Sequence, residues 1–113
     1  LKKFDFSKVF SIGKVAFYHC SSLESIVLPE NVTVIGNSAF QGCNGVTSLN
    51  IPGTVKSIGE EAFCSCEKLK ELVVNEGVSS IGKRAFAECK SLETVTLPKS
   101  AAIGERFLQI INR

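Results

Sequence analysis

The stretch "IGEEAFCSCEKLKELVVNEGVSS", residues 58–80, recurs along the chain with the same spacing of apolar residues, glycine and cysteine. The other copies read "IGKVAFYHCSSLESIVLPENVTV" at 12–34, "IGNSAFQGCNGVTSLNIPGTVKS" at 35–57 and "IGKRAFAECKSLETVTLPKSAA" at 81–102. Their shared pattern is I-G-x-x-A-F-x-x-C-x-x-L-x-x-I/L/V-x-I/L/V-P. Residues 1–11 and 103–113 continue the register as partial units, the last of which is either a truncated repeat or a cap. We therefore predict a single repeat domain over residues 1–113.

Composition limits the possible functions. The chain has 113 residues, of which 44% are apolar and 21% charged, and its net charge is only +2. Positive and negative residues alternate along it, so it lacks the basic field that nucleic-acid binding requires, and we predict no nucleic-acid partner. No apolar run approaches the roughly 18 residues of a membrane helix, so we expect no membrane insertion. The chain contains no methionine, and we expect it to be a fragment of a longer array.

The pattern within one unit predicts two extended segments and one turn. In the third unit Leu69, Leu72 and Val74 form a short period-two run typical of a strand, and proline ends the equivalent strand in the other units. Val78 and Ile81 indicate a second short extended segment. In the fourth unit Ala85, Phe86 and Cys89 have the spacing of one helical or 3₁₀ turn.

A single unit cannot fold alone. About five inward apolar side chains contribute roughly 8–15 kcal/mol, whereas ordering 23 residues costs on the order of 23–46 kcal/mol of backbone entropy. Stacked units bury both faces of each coil and pair strand with strand, so their stability accumulates through neighbour interfaces. We predict a β-rich solenoid.

The run from Ile35 and Gly36 through Ala39, Phe40 and Cys43 to "LNIP" at 49–52 resembles the BspA-like leucine-rich repeats. That family occurs in surface antigens of anaerobic bacteria and in proteins of parasitic protists. The resemblance implies a right-handed coil with a parallel sheet of short strands, used as a protein-binding surface and in several members for adhesion. It implies no enzyme activity, no catalytic residues and no cofactor. Ordinary leucine-rich repeats place Asn or Cys three residues after the last strand leucine, where this chain has Asn31, Thr54, Gly77 and Ser100.

Four of the five cysteines occupy one repeat position: Cys20, Cys43, Cys66 and Cys89. We expect these ladder thiols to fill the interior and to bond to neighbouring backbone carbonyls, because free cysteine is among the most buried residue types. The alternative is a disulfide between stacked cysteines, whose Cα atoms would lie about 5 Å apart. Cys64 occupies a variable slot, and we predict it to be exposed and reactive.

No metal or catalytic site is predicted. Cys64 and Cys66 should face opposite ways, which argues against a zinc clamp. The single histidine, His19, should face solvent beside Cys20 in a direction that cannot form a nucleophile–base pair.

Recognition would use the outward residues of the main strand. By register these form three columns that are small, rich in Ser, Thr and Val and mixed in charge, suited to broad protein contact, with no aromatic platform for a glycan or a single strand. The alternative is a plain solvated sheet surface. The residues of this strand face are Glu24, Ser25, Val27, Thr47, Ser48, Asn50, Lys70, Glu71, Val73, Glu93, Thr94 and Thr96.

The expected partners are proteins, including host matrix or cell-surface proteins for a surface or secreted adhesin. The alternative is a cytoplasmic scaffold that uses the same face.

Three further features complete the predictions. Asn31, Val32 and Thr33 form a glycosylation sequon. Glu60 and Glu61 should pair with Lys83 and Arg84 one coil on. The apolar residues of the tail either form the core of a following unit, cap the array or mediate an end-to-end homodimer; these are Phe107, Leu108, Ile110 and Ile111.

Overall fold

Two parallel sheets run along a stack of coils, and each coil contributes one strand to one or both of them. The computed structural model describes residues 4–109, so Leu1, Ile110 and Ile111 of the predicted partial units lie outside the described residues. Within that range there are eight strands and no helix: β1 Ser11–Ile12, β2 Val34–Ile35, β3 Ser48–Ile51, β4 Ser57–Ile58, β5 Glu71–Val74, β6 Ser80–Ile81, β7 Thr94–Thr96 and β8 Ala102–Ile103. The predicted β solenoid is confirmed, and both predicted extended segments form strands in the units 35–57, 58–80 and 81–102.

The sheets share the period of the sequence. A main sheet has the order β3-β5-β7, and a second sheet has the order β1-β2-β4-β6-β8. Ser48 pairs with Glu71 and Glu71 with Thr94, each 23 residues on, whereas Ser80 pairs with Ala102 after 22. Equivalent side chains of successive units therefore stack in columns, and the shorter last unit is accommodated without a change of face.

The second sheet brings neighbouring coils very close together just after each strand. A Cβ built on Gly59 would lie 2.6 Å from the backbone carbonyl carbon of Gly36 and from the backbone nitrogen of Asn37. Real Cβ atoms do not approach a backbone that closely, so only glycine fits. The repeated glycine after each of these isoleucines is thus explained by close approach of backbones.

The third side of the coil differs from the prediction, because the segment around Ala85 and Phe86 is a run of turns and not a helical or 3₁₀ turn. Arg84 and Glu88 have φ values of 56° and 59°, in the left-handed region that a right-handed helix cannot contain. The N–H groups of Arg84, Phe86 and Glu88 donate to carbonyls of the following coil at 3.0, 2.7 and 2.7 Å. The predicted turn is in fact a third ladder of hydrogen bonds between coils.

The core is a column of aromatic and aliphatic side chains enclosed by these three sides. Phe17, Phe40, Phe63 and Phe86 stack with centroids 5.1–5.2 Å apart and planes within 6° of parallel. In β3 and β5 alternate residues are buried, which is the pattern of a sheet with one face on a core. In the tail, Phe107 and Leu108 are half-buried against the same core.

Candidate functional site

The strand face is assembled by the main sheet. Pairing of β3, β5 and β7 places Ser48, Glu71 and Thr94 in one row. A second row contains Asn50, Val73 and Thr96. All six are exposed except Val73, which is half-buried. The predicted columns therefore exist over these three strands, and their use in binding stays a prediction.

The charges on the strand face are predominantly negative. The face has three carboxylates, on Glu24, Glu71 and Glu93, and a single ammonium group on Lys70. All four side chains are exposed. Among residues 4–109 the single ion pair lies elsewhere, between Arg84 and Glu61 at 3.4 Å, as the sequence predicted for that surface. A positively charged partner surface would complement this face better than a negative one.

The part of the strand face in the first full unit, residues 12–34, departs from the prediction. Residues 24–28 form no strand, and no backbone hydrogen bond joins them to residues 47–52. A cleft of about 610 Å³ lies between the two segments, with Ile26, Leu28 and Val27 on one side and Asn50 on the other. Val27 is 74% exposed. Glu24, Ser25 and Val27 thus line the edge of a cleft, where the sequence predicted a continuous sheet.

Sequence reasoning missed Glu30 and Pro52, which also line this cleft. The available signal was the proline at equivalent positions of successive units, Pro29 and Pro52. A proline has no N–H, so one rung between these two coils is lost.

The ladder thiols are placed as expected. Cys43, Cys66 and Cys89 donate to the carbonyl oxygens of Phe17, Phe40 and Phe63 at 3.2, 3.3 and 3.2 Å. All three cysteines are buried, and Cys20 is half-buried. All five cysteines are free thiols, so the alternative of a disulfide between stacked cysteines is not formed.

Cys64 was wrongly predicted to be exposed. Its side chain is 2% exposed, and its Sγ lies 3.7 Å from Nη2 of Arg84 and 3.7 Å from Oγ of Ser65. Burial raises the pKa of this thiol despite the guanidinium nearby. Burial likewise raises the pKa of Cys43 to about 11. Both thiols therefore stay protonated near neutral pH, which disfavours nucleophilic chemistry at either.

The remaining chemistry-bearing residues do not converge. Within residues 4–109 no group of three or more His, Cys, Asp or Glu side chains is placed to hold a metal ion. His19 is exposed, and its ring packs on Tyr18 with centroids 4.2 Å apart. Asn31 is exposed, and its Nδ2 donates to the carbonyl of Ser7 at 3.1 Å. Glycosylation there stays a prediction.

In the described part of the chain, no helix has the length and apolar character needed to cross a membrane.

The known proteins that this chain resembles are leucine-rich repeat proteins. A family model described as the BspA type leucine rich repeat region matches residues 1–109 in six copies. A leucine rich repeat protein of T. pallidum is 33% identical, with a TM-score of 0.78 over 83% of this chain and 44% of that protein. A leucine-rich repeat protein from Bacteroides capillosus ATCC 29799 is 26% identical, with a TM-score of 0.60 over 99% of this chain and 86% of that one. The chain thus spans less than half the length of the T. pallidum protein. None of the curated proteins matches.

Proposed function

We propose, from the premise that this chain belongs to the BspA-type leucine-rich repeat family, that it is a non-catalytic protein-interaction module. It would act within a surface or secreted adhesin-like protein, and its partners would be proteins of a host matrix or cell surface. Proteins of this family are often found on bacterial surfaces or secreted, and leucine-rich repeats typically bind proteins. The strand face would make the contact.

The observation that carries this proposal is the exposed, aligned strand face. Its two paired rows present polar and β-branched side chains on a sheet whose other side is packed on the core. Such a surface is flat and rigid, so a partner would order few side chains on binding and the entropic cost would be small. Interface residues on rigid strands also hold their relative positions better than residues on loops.

A capture experiment tests the proposal. The parent is immobilised beside a face variant, Val27→Glu with Asn50→Arg and Val73→Glu, and is exposed to matrix, cell-surface and cytosolic extracts. The matched control carries the same three charges on the second-sheet side, Val34→Glu with Ser79→Arg and Ala102→Glu, where all three parent residues are exposed. Circular dichroism and thermal unfolding confirm that each variant is folded.

We expect the parent and the control to retain the same matrix or cell-surface proteins and the face variant to lose them. Identical capture by all three proteins, or capture by none, would reject the strand face as the binding site. Retention of cytosolic proteins alone would favour the alternative, a scaffold inside the cell. The five unbridged thiols fit that alternative, because a reducing compartment keeps cysteines free.

Self-association through the ends of the array is a second mode of contact that we propose. Tyr18 is exposed in the first full coil, and Val95 and Ile103 are exposed in the last coils, whereas their equivalents in the third full unit are buried. Apolar side chains of this size on an exposed end favour stacking with another copy.

A further inference from the structure

The cleft in the main sheet is bordered by backbone groups that have no partner. Glu71 N–H donates to the carbonyl of Thr47, and Asn75 N–H to the carbonyl of Ile51. Successive residues of a parallel strand point their backbone groups to opposite neighbours. The N–H and C=O groups of Ser48 and Asn50 therefore point away from β5, toward the cleft, and no backbone hydrogen bond reaches them from residues 24–28.

The opposite border is unpaired in the same way. By the repeat, Glu24 and Leu28 correspond to Thr47 and Ile51, whose carbonyls accept from the next coil. The carbonyls of Glu24 and Leu28 accept no backbone hydrogen bond from the coil that follows. The edge of β3 and the segment 24–28 thus face each other across one gap, each with backbone groups that have no backbone partner.

Pro52 explains one missing rung between these edges. In the next coil the equivalent residue is Asn75, whose backbone N–H donates to Ile51 at 3.1 Å and whose Nδ2 reaches the same carbonyl at 2.8 Å. Pro52 has no N–H to donate to Leu28. Pro98 removes the same rung in the last full unit, where β7 has three residues and β5 has four.

The cleft has the chemistry of a peptide site. Its volume of about 610 Å³ falls within the 300–1,000 Å³ range that is usual for ligand pockets, as an approximate guide. Val27 lines it and is 74% exposed, which offers an apolar contact. The charged side chains that line it are two carboxylates, Glu24 and Glu30. Free backbone groups, an apolar contact and negative charge together favour an extended segment that carries lysine or arginine.

We propose that this cleft accepts an extended basic peptide segment of a protein partner, which adds as a strand between residues 24–28 and β3. The inference rests on the proposed function, because it names the chemistry of the partner at one part of the strand face. A single inserted strand offers its alternate backbone groups to both edges, so it would satisfy Ser48 and Asn50 on one side and Leu28 on the other. Strand addition derives its affinity from such main-chain bonds and its selectivity from alternate side chains.

The test uses a defined probe, the acetylated and amidated octapeptide Thr-Lys-Val-Lys-Val-Lys-Val-Thr, with a charge-reversed peptide in which each Lys is Glu. Binding is measured by calorimetry, and amide exchange by NMR on the full chain. In the free protein we expect fast exchange at the N–H groups of Ser48 and Asn50. On saturation with the basic peptide we expect exchange there to slow by at least about tenfold, while the acidic peptide binds more weakly.

Two substitutions at one position separate backbone from side-chain contributions. Ser48→Pro removes an N–H that has no partner in the structure, at the first residue of an edge strand where proline is tolerated. Ser48→Ala keeps that N–H. We expect Ser48→Pro to weaken peptide binding about tenfold or more and Ser48→Ala to leave it within about twofold. If Ser48→Pro does not fold, the test is the amide exchange of Ser48 and Asn50 in the parent, compared with and without the basic peptide.

Several results would overturn strand addition. One is slow amide exchange at Ser48 and Asn50 without peptide, which would mean that residues 24–28 already pair with β3. Another is equal peptide binding by Ser48→Pro and Ser48→Ala. Absence of saturable peptide binding would do the same, and equal affinity for the acidic peptide would overturn the assignment of a basic partner. If Ser48→Pro still captures the partners that the face variant loses, the cleft is not the peptide site, whereas recognition by the rest of the strand face is still supported.

Discussion

The ladder cysteines stabilise the stack because each combines a small apolar volume with one directional bond. A thiol buried without a partner would leave its S–H group unsatisfied, but Cys66 donates to the carbonyl of Phe40 in the preceding coil at 3.3 Å and so fixes the axial position of one coil on another. A hydrogen bond of this kind contributes about 0.5–1.5 kcal/mol. The same bond recurs at Cys43 and Cys89, and thus the repeated cysteine is a structural residue of the interior.

Reactivity of the thiols should follow their position in the stack. We expect a neutral-pH maleimide reaction on native protein to modify Cys20 first, because it is half-buried whereas the other four are buried. Denatured protein should label at all five. Tryptic mass spectrometry over a time course identifies the site, and Cys20→Ser is the control that should abolish fast labelling. Fast modification of Cys64 in that variant would contradict its burial beneath Arg84.

Stability should fall at alkaline pH through the buried thiols. Burial raises the pKa of Cys43 to about 11, while an unfolded cysteine ionises near about 8.5. Between these two pKa values the unfolded chain releases a proton that the folded chain retains. The thiol's contribution to stability is therefore complete below the pKa of the unfolded thiol and is lost as pH rises toward the pKa of the folded one. The loss is up to about 1.4 kcal/mol per pH unit for this group.

Urea unfolding of the parent and Cys43→Ala at pH 7, 9 and 10.5 checks this effect. At pH 7 the variant should be less stable by about 1–2 kcal/mol from the lost bond and volume, and the difference should shrink as pH rises. Val46→Ala, a buried position that does not ionise, should give a constant difference. A constant difference for Cys43→Ala as well would show that its thiol does not titrate with unfolding.

Among the elements, the strands could be predicted from the types of residue that form and end them. The third ladder and the cleft could not, because they depend on contacts between coils. Alternating apolar residues and terminal prolines identified the strands. The third ladder was misread because Ala85, Phe86 and Cys89 have a helical spacing, while the left-handed Arg84 and Glu88 carry no Gly or Asn to mark them. The cleft depends on the distance between two coils, and Pro52 alone hints at it.

Two glycines at the same repeat position beside the second sheet allow a matched test of the close approach between coils. Gly59→Ala should destabilise the fold by about 1–3 kcal/mol, because its new Cβ would lie 2.6 Å from the backbone of the preceding coil. Gly13→Ala has the same repeat position but nothing within 4 Å of its Cβ, so its effect should stay within about 0.5 kcal/mol. Urea denaturation measures both, and equal losses would contradict the steric explanation.

At the scale of the whole molecule, the described coils are stacked with the same backbone polarity throughout. The principal-axis extents are 42 × 34 × 22 Å. In the turn ladder each coil donates N–H groups to the coil that follows, as Phe17 does to Ala39, whereas in the second sheet Gly36 donates back to Ile12. The turn ladder therefore leaves unpaired N–H groups on the later coil, and the second sheet leaves them on the earlier coil. Two stacks of the described coils thus complement each other in backbone polarity when they meet head to tail.

This polarity determines the geometry of self-association. A contact between complementary but different ends is heterologous, so copies would join head to tail and the assembly would not close as a dimer. We expect the weight-average sedimentation coefficient to rise with concentration without a dimer plateau. Tyr18→Lys should weaken association about tenfold or more, because a buried unpaired ammonium is costly. Tyr18 is 49% exposed in the first full coil, whereas its equivalents Cys64 and Ala87 are buried by the coils that follow them.

Val27→Lys provides the matched control, because Val27 is even more exposed but lies on the strand face. It should associate like the parent. A parent that stays monomeric at all concentrations would exclude association through the ends. Equal weakening by Val27→Lys would instead place the contact on the strand face, and a plateau at the mass of two chains would indicate an isologous pair, in which the same end of each copy meets the other.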